Sequence, residues 1–373
     1  MPIDANKSFT LKTDWDLNGE TYLIPEGVTL KSKGGVFFNG KLVGDNTAID
    51  TRNALFSKVT ILGDWVAPVI STALFKDLNY ENSLQDVFAL AKPNVDNVIE
   101  IKEGDYYVRT KSFKSALTVG SNVTLEINGN IRLIPNSYKG SYVLSVYEAK
   151  NVVIKGKGCI YGDKHSHKGN EGEWGHGIYV RFSENVIIDG FNVKDCWGDC
   201  IYVGSSSKNV TIRKCNLDNG RRQGISVTSA DGVTIEDCII TNVSGTNPQA
   251  AVDIEPNEGE VVDNVIIRNI HCENCYGGIE TWRPEDARIG SVLIERCTVV
   301  ISQKKWPIAV RHVESARIVN CTVDADERTA IRAANVENLI IENNRVTSSS
   351  KEPISVARCK KSEVRANTIQ KTK

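Results

Sequence analysis

Residues 185–190 read NVIIDG, and the same phrase returns as NVTIRK (209–214), GVTIED (232–237), NVIIRN (264–269), SVLIER (291–296) and NLIIEN (338–343). NVVIKG (151–156) precedes them, and ARIVNC (316–321) is a worn copy. Each phrase has apolar residues at alternate positions, the mark of a strand with one buried face. An Asn usually opens it, and Asn tolerates the left-handed geometry of a tight corner. A second short strand follows, in FNVKD, CNLDN, CIITN, CTVVI and CTVDA. A third runs through GIYVRF, CIYVGS, GISVTS, AVDIEP, GIETWR, PIAVRH, AIRAAN and PISVAR. Val186, Val210 and Val233 lie 24 and 23 residues apart. Three short strands in such a period form one coil of a right-handed single-stranded parallel β-helix. One coil cannot bury its apolar face alone, so coils stack on a shared core. The fold class is therefore all-β.

Ends and composition complete the plan. NSLQDVFALAK (82–92) has Leu84, Val87, Phe88 and Ala91 at helical spacing and reads as an amphipathic N-terminal capping helix. Residues 1–80 read as an accessory β region, and 81–373 as the β-helix with its cap. The formal net charge of −1 argues against a nucleic-acid partner, and no apolar run is long enough to span a membrane. Cys215, Cys238, Cys297 and Cys321 occupy one repeating position, as a stack of small buried residues would. Cys272 and Cys275 lack the partners that a metal or redox motif needs, so no metal site is expected. The C-terminal NTIQKTK offers no capping helix; an uncovered coil favours association, and the expectation is a homo-oligomer, a trimer as in viral β-helix fibres. No leader is visible at the N-terminus, and the expected location is extracellular or virion-associated.

The register of the third strand picks out candidate site residues. Ile178, Ile201, Ile225, Val252, Ile279 and Ile308 form the inward stack, so the residues between them face outward. One outward column reads Tyr179, Tyr202, Ser226, Asp253, Glu280, Ala309; the next reads Arg181, Gly204, Thr228, Glu255, Trp282, Arg311. Acids, aromatic rings and arginines on one face suit a saccharide: rings stack on pyranoses, acids bind hydroxyls or move protons, and Arg takes carboxylates or sulfates. Asp253 and Glu280 sit on adjacent coils, about 4.8 Å apart at the backbone, and Asp253 and Glu255 about 6.6 Å apart along one strand. Crowding of this kind raises one acid toward a general-acid pKa. Pointing outward, all three acids should accept amide substitution without disturbing the core. His176, Arg222 and Arg283 are placed at the groove edge, and Trp282 as a stacking platform. Longer intervals at 161–174, 244–249 and 256–263 are insertions beside the third strand, where repeat proteins build binding faces.

The helix of 82–92 followed by the strand, turn and strand of VIEIKEGDYYVR (98–109) resembles the cap of pectate-lyase-like β-helix proteins. GDCIYVGSSSKNVTIRKC (198–215) followed by RRQGISV (221–227) resembles the core of the polygalacturonase family of glycoside hydrolases. That resemblance implies a carbohydrate substrate and assigns Asp199 to the second Asp of the family's catalytic pair. Gly198 stands where the first should be, and Gln223 where the family has a catalytic-site His. Three function classes follow. The first is a glycoside hydrolase using Asp253, Glu255, Glu280 and Asp199. The second is a polysaccharide lyase on a uronic-acid polymer, with Tyr179, Tyr202 or His176 moving the proton and Arg or Ca²⁺ neutralising the carboxylate. The third is a glycan-binding or viral-fibre protein without catalysis. No cofactor is expected for the first or third.

Overall fold

The computed structural model describes residues 3–371, apart from 79–80, 82, 92–95 and 302–304. Alternation in the repeats becomes three long parallel sheets, which carry thirteen, eleven and ten strands among the described residues. The NVIIDG phrases build the first sheet, the CNLDN phrases the second and the GIYV phrases the third, each pairing in register with its copy one coil on. Between the sheets, Ile178, Ile201, Ile225, Val252, Ile279 and Ile308 are fully buried in one column. The corner asparagines behave as their chemistry requires. Asn122, Asn151, Asn185 and Asn209 all have φ between 52° and 61°. The side-chain amides of Asn151, Asn185 and Asn209 each donate to the Oδ1 of the Asn one coil before, at 3.0–3.1 Å. The ladder satisfies groups that would otherwise be unpaired at every corner.

The ten cysteines are free thiols, nine of them buried. Cys215 Sγ lies 3.2 Å from the Arg213 carbonyl and Cys238 Sγ 3.2 Å from that of Glu236, so the repeated position is a stacked core column.

The N-terminal strands are also parallel. Trp15, Phe37, Phe56 and Phe75 pair in successive register, an aromatic column wound about 20 residues to the turn. The strand Val69–Ser71 then pairs with Asn97–Ile101 at the start of the first sheet, so one hydrophobic core runs from Ile3 to Val346. The helix is shorter than the 82–92 expected from its periodicity: it spans Ser83–Phe88, and residues 82 and 92 lie outside the described ones. It buries Leu84 and Val87 and packs against Phe56–Val66, Asp105–Val108 and Ser115–Val119. At the far end, Val364 and Ile369 of the last coil are exposed. Among the described residues, no helix is long and apolar enough to cross a membrane.

Burying a side chain such as Ile225 stabilises by roughly 1.5–3 kcal/mol, and placing an unpaired charge there costs more than the marginal stability of one coil. Ile225→Asp should therefore yield no soluble, cooperatively melting protein. A variant that melts like the wild type would place this column on the wrong face.

Candidate functional site

The third sheet holds the outward columns in the expected register: Tyr179 pairs with Tyr202, Tyr202 with Ser226, Ser226 with Asp253, and Asp253 with Glu280. Outward does not mean solvated. Asp199, Gln223, Ser226, Asp253 and Glu280 are all buried, because adjacent turns and the 161–174 insertion wall the face into a cleft. The open part of that cleft is about 450 Å³ and is lined by Tyr142, Trp174, His176, Tyr202, Arg222 and Glu255, among others.

One end is aromatic. Tyr142 stacks on Tyr179 at 3.8 Å between ring centres, and His176 lies parallel to Tyr202 at 5.1 Å. The Asp199 backbone N–H donates to His176 Nδ1 at 3.1 Å, so the imidazole proton belongs on Nε2. Burial, with Arg222 nearby, pushes this imidazole down to about 3, and it is neutral at physiological pH. Burial pushes Tyr202 up to about 12 and Tyr142 higher still. These rings form an apolar wall with polar tips rather than a set of bases. Arg181 braces it, donating to the Tyr179 hydroxyl at 2.8 Å and to Ser205 Oγ at 2.5 Å.

The middle is acidic around one cation. Arg222 lies 3.4 Å from Asp199, 3.6 Å from Glu255 and 3.6 Å from Glu173. Gln223 Nε2 donates to Asp253 Oδ2 at 2.8 Å. Burial raises Asp253 well above the usual carboxylate range, and the neighbouring charges of Glu255 and Glu280 raise it further. Its carboxyl therefore resists ionisation, and its Oδ2 is the oxygen that accepts from Gln223. Burial also raises Asp199 to about 6, against the opposing pull of the Arg222 charge. Four buried atoms here make no hydrogen bond within the protein: Asp199 Oδ1, Arg222 Nε, Gln223 Oε1 and Ser226 Oγ. Buried polar atoms without partners are costly and point to a working site.

The other end is cationic. Glu280 is clamped between Lys305 at 3.0 Å and Arg311 at 3.1 Å. Its amide variant would leave two cations uncompensated, so the expectation that all three acids accept amides silently fails at Glu280. Trp282 is partly exposed beside this end of the sheet. Arg283 turns away and donates to the carbonyls of His312, Pro284 and Glu285, so it braces a turn instead of edging the groove.

Tyr142, Glu173 and Lys305 escaped the sequence reading. Tyr142 was findable: it precedes its register partner His176 by 34 residues, the same interval as Val152 to Val186. Glu173 lies on the 161–174 insertion, and Lys305 in the turn before Ile308, with no repeat to align them. The insertion is itself well anchored. Arg221 lies over the Trp197 ring at 3.8 Å and donates to the Gly172 carbonyl at 2.8 Å, while Asp163 accepts from Asn136 and pairs with His167.

A parallel β-helix with a walled acidic cleft on its third sheet is the class that this geometry defines. The family model described as "Right handed beta helix region" matches residues 112–252, 205–300 and 307–373, and the chain belongs to that family. It is 30% identical over 196 residues, 44% of its length, to the SPbeta prophage-derived uncharacterized protein YorA of Bacillus subtilis (strain 168); the match spans 33% of that protein. Its fold is similar to an endo-xylogalacturonan hydrolase from Aspergillus tubingensis (TM-score 0.60, 14% identity, 81% of this chain and 93% of that one). It is also similar to the tailspike protein gp49 of the Acinetobacter baumannii bacteriophage Fri1, a capsular polysaccharide depolymerase (TM-score 0.52, 14% identity, 82% of this chain and 64% of that one). At such identities these likenesses concern the fold.

The raised Asp199 carboxyl has a pH consequence. Its neutral form is favoured by folding, so that stabilisation is complete below the ordinary aspartate value of about 4 and is lost as pH rises through about 6. Relative to wild type, Asp199→Asn should gain melting temperature as pH rises from 4 to 6.5 and change little beyond. A constant difference across that range would contradict the burial of a titrating Asp199.

Proposed function

We propose that the protein is a polysaccharide-cleaving glycoside hydrolase whose reaction is carried by Asp253 and Glu255. The observation that supports this most is the buried Asp253, raised well above the usual carboxylate range beside Glu255, with Gln223 on one side and Arg222 on the other. Two carboxyl groups in unlike surroundings are what glycosidic cleavage needs: one to give a proton, one to carry charge. In this reading the backbone of the polymer lies along the third sheet, its rings against Tyr142, Tyr202 and Trp282. Asp253 gives its proton to the glycosidic oxygen as the bond to the anomeric carbon breaks. Glu255, held by Arg222, faces the developing positive charge and either attacks the anomeric carbon or takes a proton from the attacking water. The anomer of the first product distinguishes those two routes. Asp199 and Glu280 shape the field and contribute to positioning, while His176, Arg181, Gln223 and Arg311 hold the walls.

The lyase alternative is weaker, because it needs a base near neutral pH. Burial holds the protons on Tyr142 and Tyr202, and His176 is a poor base with its Nδ1 already engaged. The prophage-derived relative and the tailspike likeness support an extracellular or virion-associated location.

A panel of plant, algal and capsular polysaccharides should yield reducing ends without new absorbance near 235 nm, about the wavelength where only elimination contributes a conjugated double bond. Asp253→Asn and Glu255→Gln should each lower kcat by about 10²–10⁴, the usual worth of a proton-transferring group. Asp253→Asn should keep the wild-type melting temperature, since the carboxyl it replaces is already neutral. Glu280→Gln should lower that temperature, and Trp282→Ala should raise KM more than it lowers kcat. Full activity in both Asp253→Asn and Glu255→Gln, or absorbance at 235 nm in the wild type, would overturn the hydrolase reading.

A further inference from the structure

A second concavity of about 570 Å³ opens where the third sheet turns into the first, and Arg181, Ser205 and Glu260 line both it and the catalytic cleft. It arises from unequal turns. In two successive coils the chain turns tightly on small residues, GSSSK (204–208) and TSAD (228–231). Ser205 and Ser206 both take left-handed φ, 54° and 59°, which draws the first of these turns in close. Ser207 Oγ donates to the Gly204 carbonyl, and Ser229 Oγ accepts from the Ser206 backbone, so the floor is internally braced. The coil before presents Arg181 and Phe182, and the coil after presents the 256–263 insertion. A low floor between two raised walls makes an arm that leaves the cleft sideways.

The walls say what kind of ligand fits. Phe182 is half exposed, with Tyr147 edge-on at 5.7 Å and the Arg181 guanidinium 5.1 Å from its ring centre. An aromatic face fixed in this way is a platform for the apolar face of a pyranose. The charges cancel: Arg181, Lys208 and Arg288 stand against Asp231, Glu260 and Asp263. Several are already engaged. Arg288 pairs with Asp263 at 3.0 Å and Glu314 at 2.6 Å, Asp231 accepts from Asn264, and Glu260 accepts from Asn257. A polyanion finds no net positive field here, and a cation finds no free acid cluster. What remains is a polar, neutral, hydroxyl-binding surface beside one ring.

We propose that this arm binds a neutral pyranose carried as a side branch on the polymer whose backbone occupies the third-sheet cleft. The assignment of a branch rests on the polysaccharide reading above; the binding of a neutral saccharide does not. The arm then selects substituted over bare stretches of polymer, a choice the acidic cleft by itself does not make.

The probes are the methyl pyranosides of xylose, galactose, rhamnose and glucose, with methyl galacturonoside as the charged comparison, observed by saturation-transfer NMR on the full chain. At least one neutral glycoside should bind the wild type. Its signal should fall severalfold in Phe182→Ala, vanish in Ser206→Trp, which fills the arm from an exposed position, and persist in Trp282→Ala. Circular dichroism establishes that each variant is folded, and Phe182→Ala alone decides should Ser206→Trp fail to fold. Absence of binding by every neutral glycoside, binding that survives these arm substitutions, or binding by the uronate alone overturns the proposal. Polymer cleavage is scored separately. A neutral glycoside bound in the arm with no polymer cleaved keeps the site and rejects the hydrolase; cleavage with no arm-dependent binding does the reverse.

Discussion

Everything in this molecule depends on in-register stacking of coils. A short strand such as Ile201–Gly204 has no stability of its own; it persists because Ile201 and Val203 lie directly between their copies in the coils before and after. The same constraint fixes the chemistry. With inward positions given to Ile and Val, the alternate residues of every coil are delivered to one line on the outside at about 4.8 Å intervals. Asp253 and Glu280 therefore meet without either coil being designed around the pair. A parallel β-helix converts sequence repeats into columns, and a column of unlike residues becomes a graded groove: aromatic at Tyr142 to Tyr202, acidic at Asp253 and Glu255, cationic at Lys305 and Arg311.

Stacking alone would leave that groove shallow and wet. Depth comes from departures from the repeat. The 161–174 insertion, pinned by Asp163, His167 and the Arg221–Trp197 stack, brings Glu173 and Trp174 over one edge. Lys305 closes the other end over Glu280. Once water is largely excluded, each charge pair matters more, and a carboxyl without a cation keeps its proton. Asp253 approaches this state: it accepts from the Gln223 amide, and burial with the charges of Glu255 and Glu280 raises it. Glu280, one coil on, has two cations. Two acids adjacent in one column thus acquire opposite roles from what the walls bring to them.

The line between the legible and the illegible follows from this. Columns were legible because alternation sets register: the Ile178–Ile308 stack, the Asp253–Glu280 adjacency and the corner asparagines could all be read from spacing. Burial of Asp253 and Glu280 was not, since it depends on walls made by non-repeating segments. Arg283 and Arg311 look equivalent in sequence, yet Arg311 is in register with the column and reaches Glu280, while Arg283 lies in the following turn and satisfies carbonyls. The helix was legible as a periodicity but not in length. The parallel winding of residues 8–76 was hidden by a tighter, aromatic-centred repeat unlike the main one.

The claim on which the mechanism stands is that burial and the charges of Glu255 and Glu280 keep a proton on Asp253 at neutral pH. Infrared difference spectroscopy of the folded protein at pH 7 tests it most directly, by the carbonyl stretch of a protonated carboxyl. That band should be present in the wild type, survive in Asp199→Asn and disappear in Asp253→Asn. A spectrum with no protonated carboxyl at pH 7, or a band untouched by Asp253→Asn, would contradict the account.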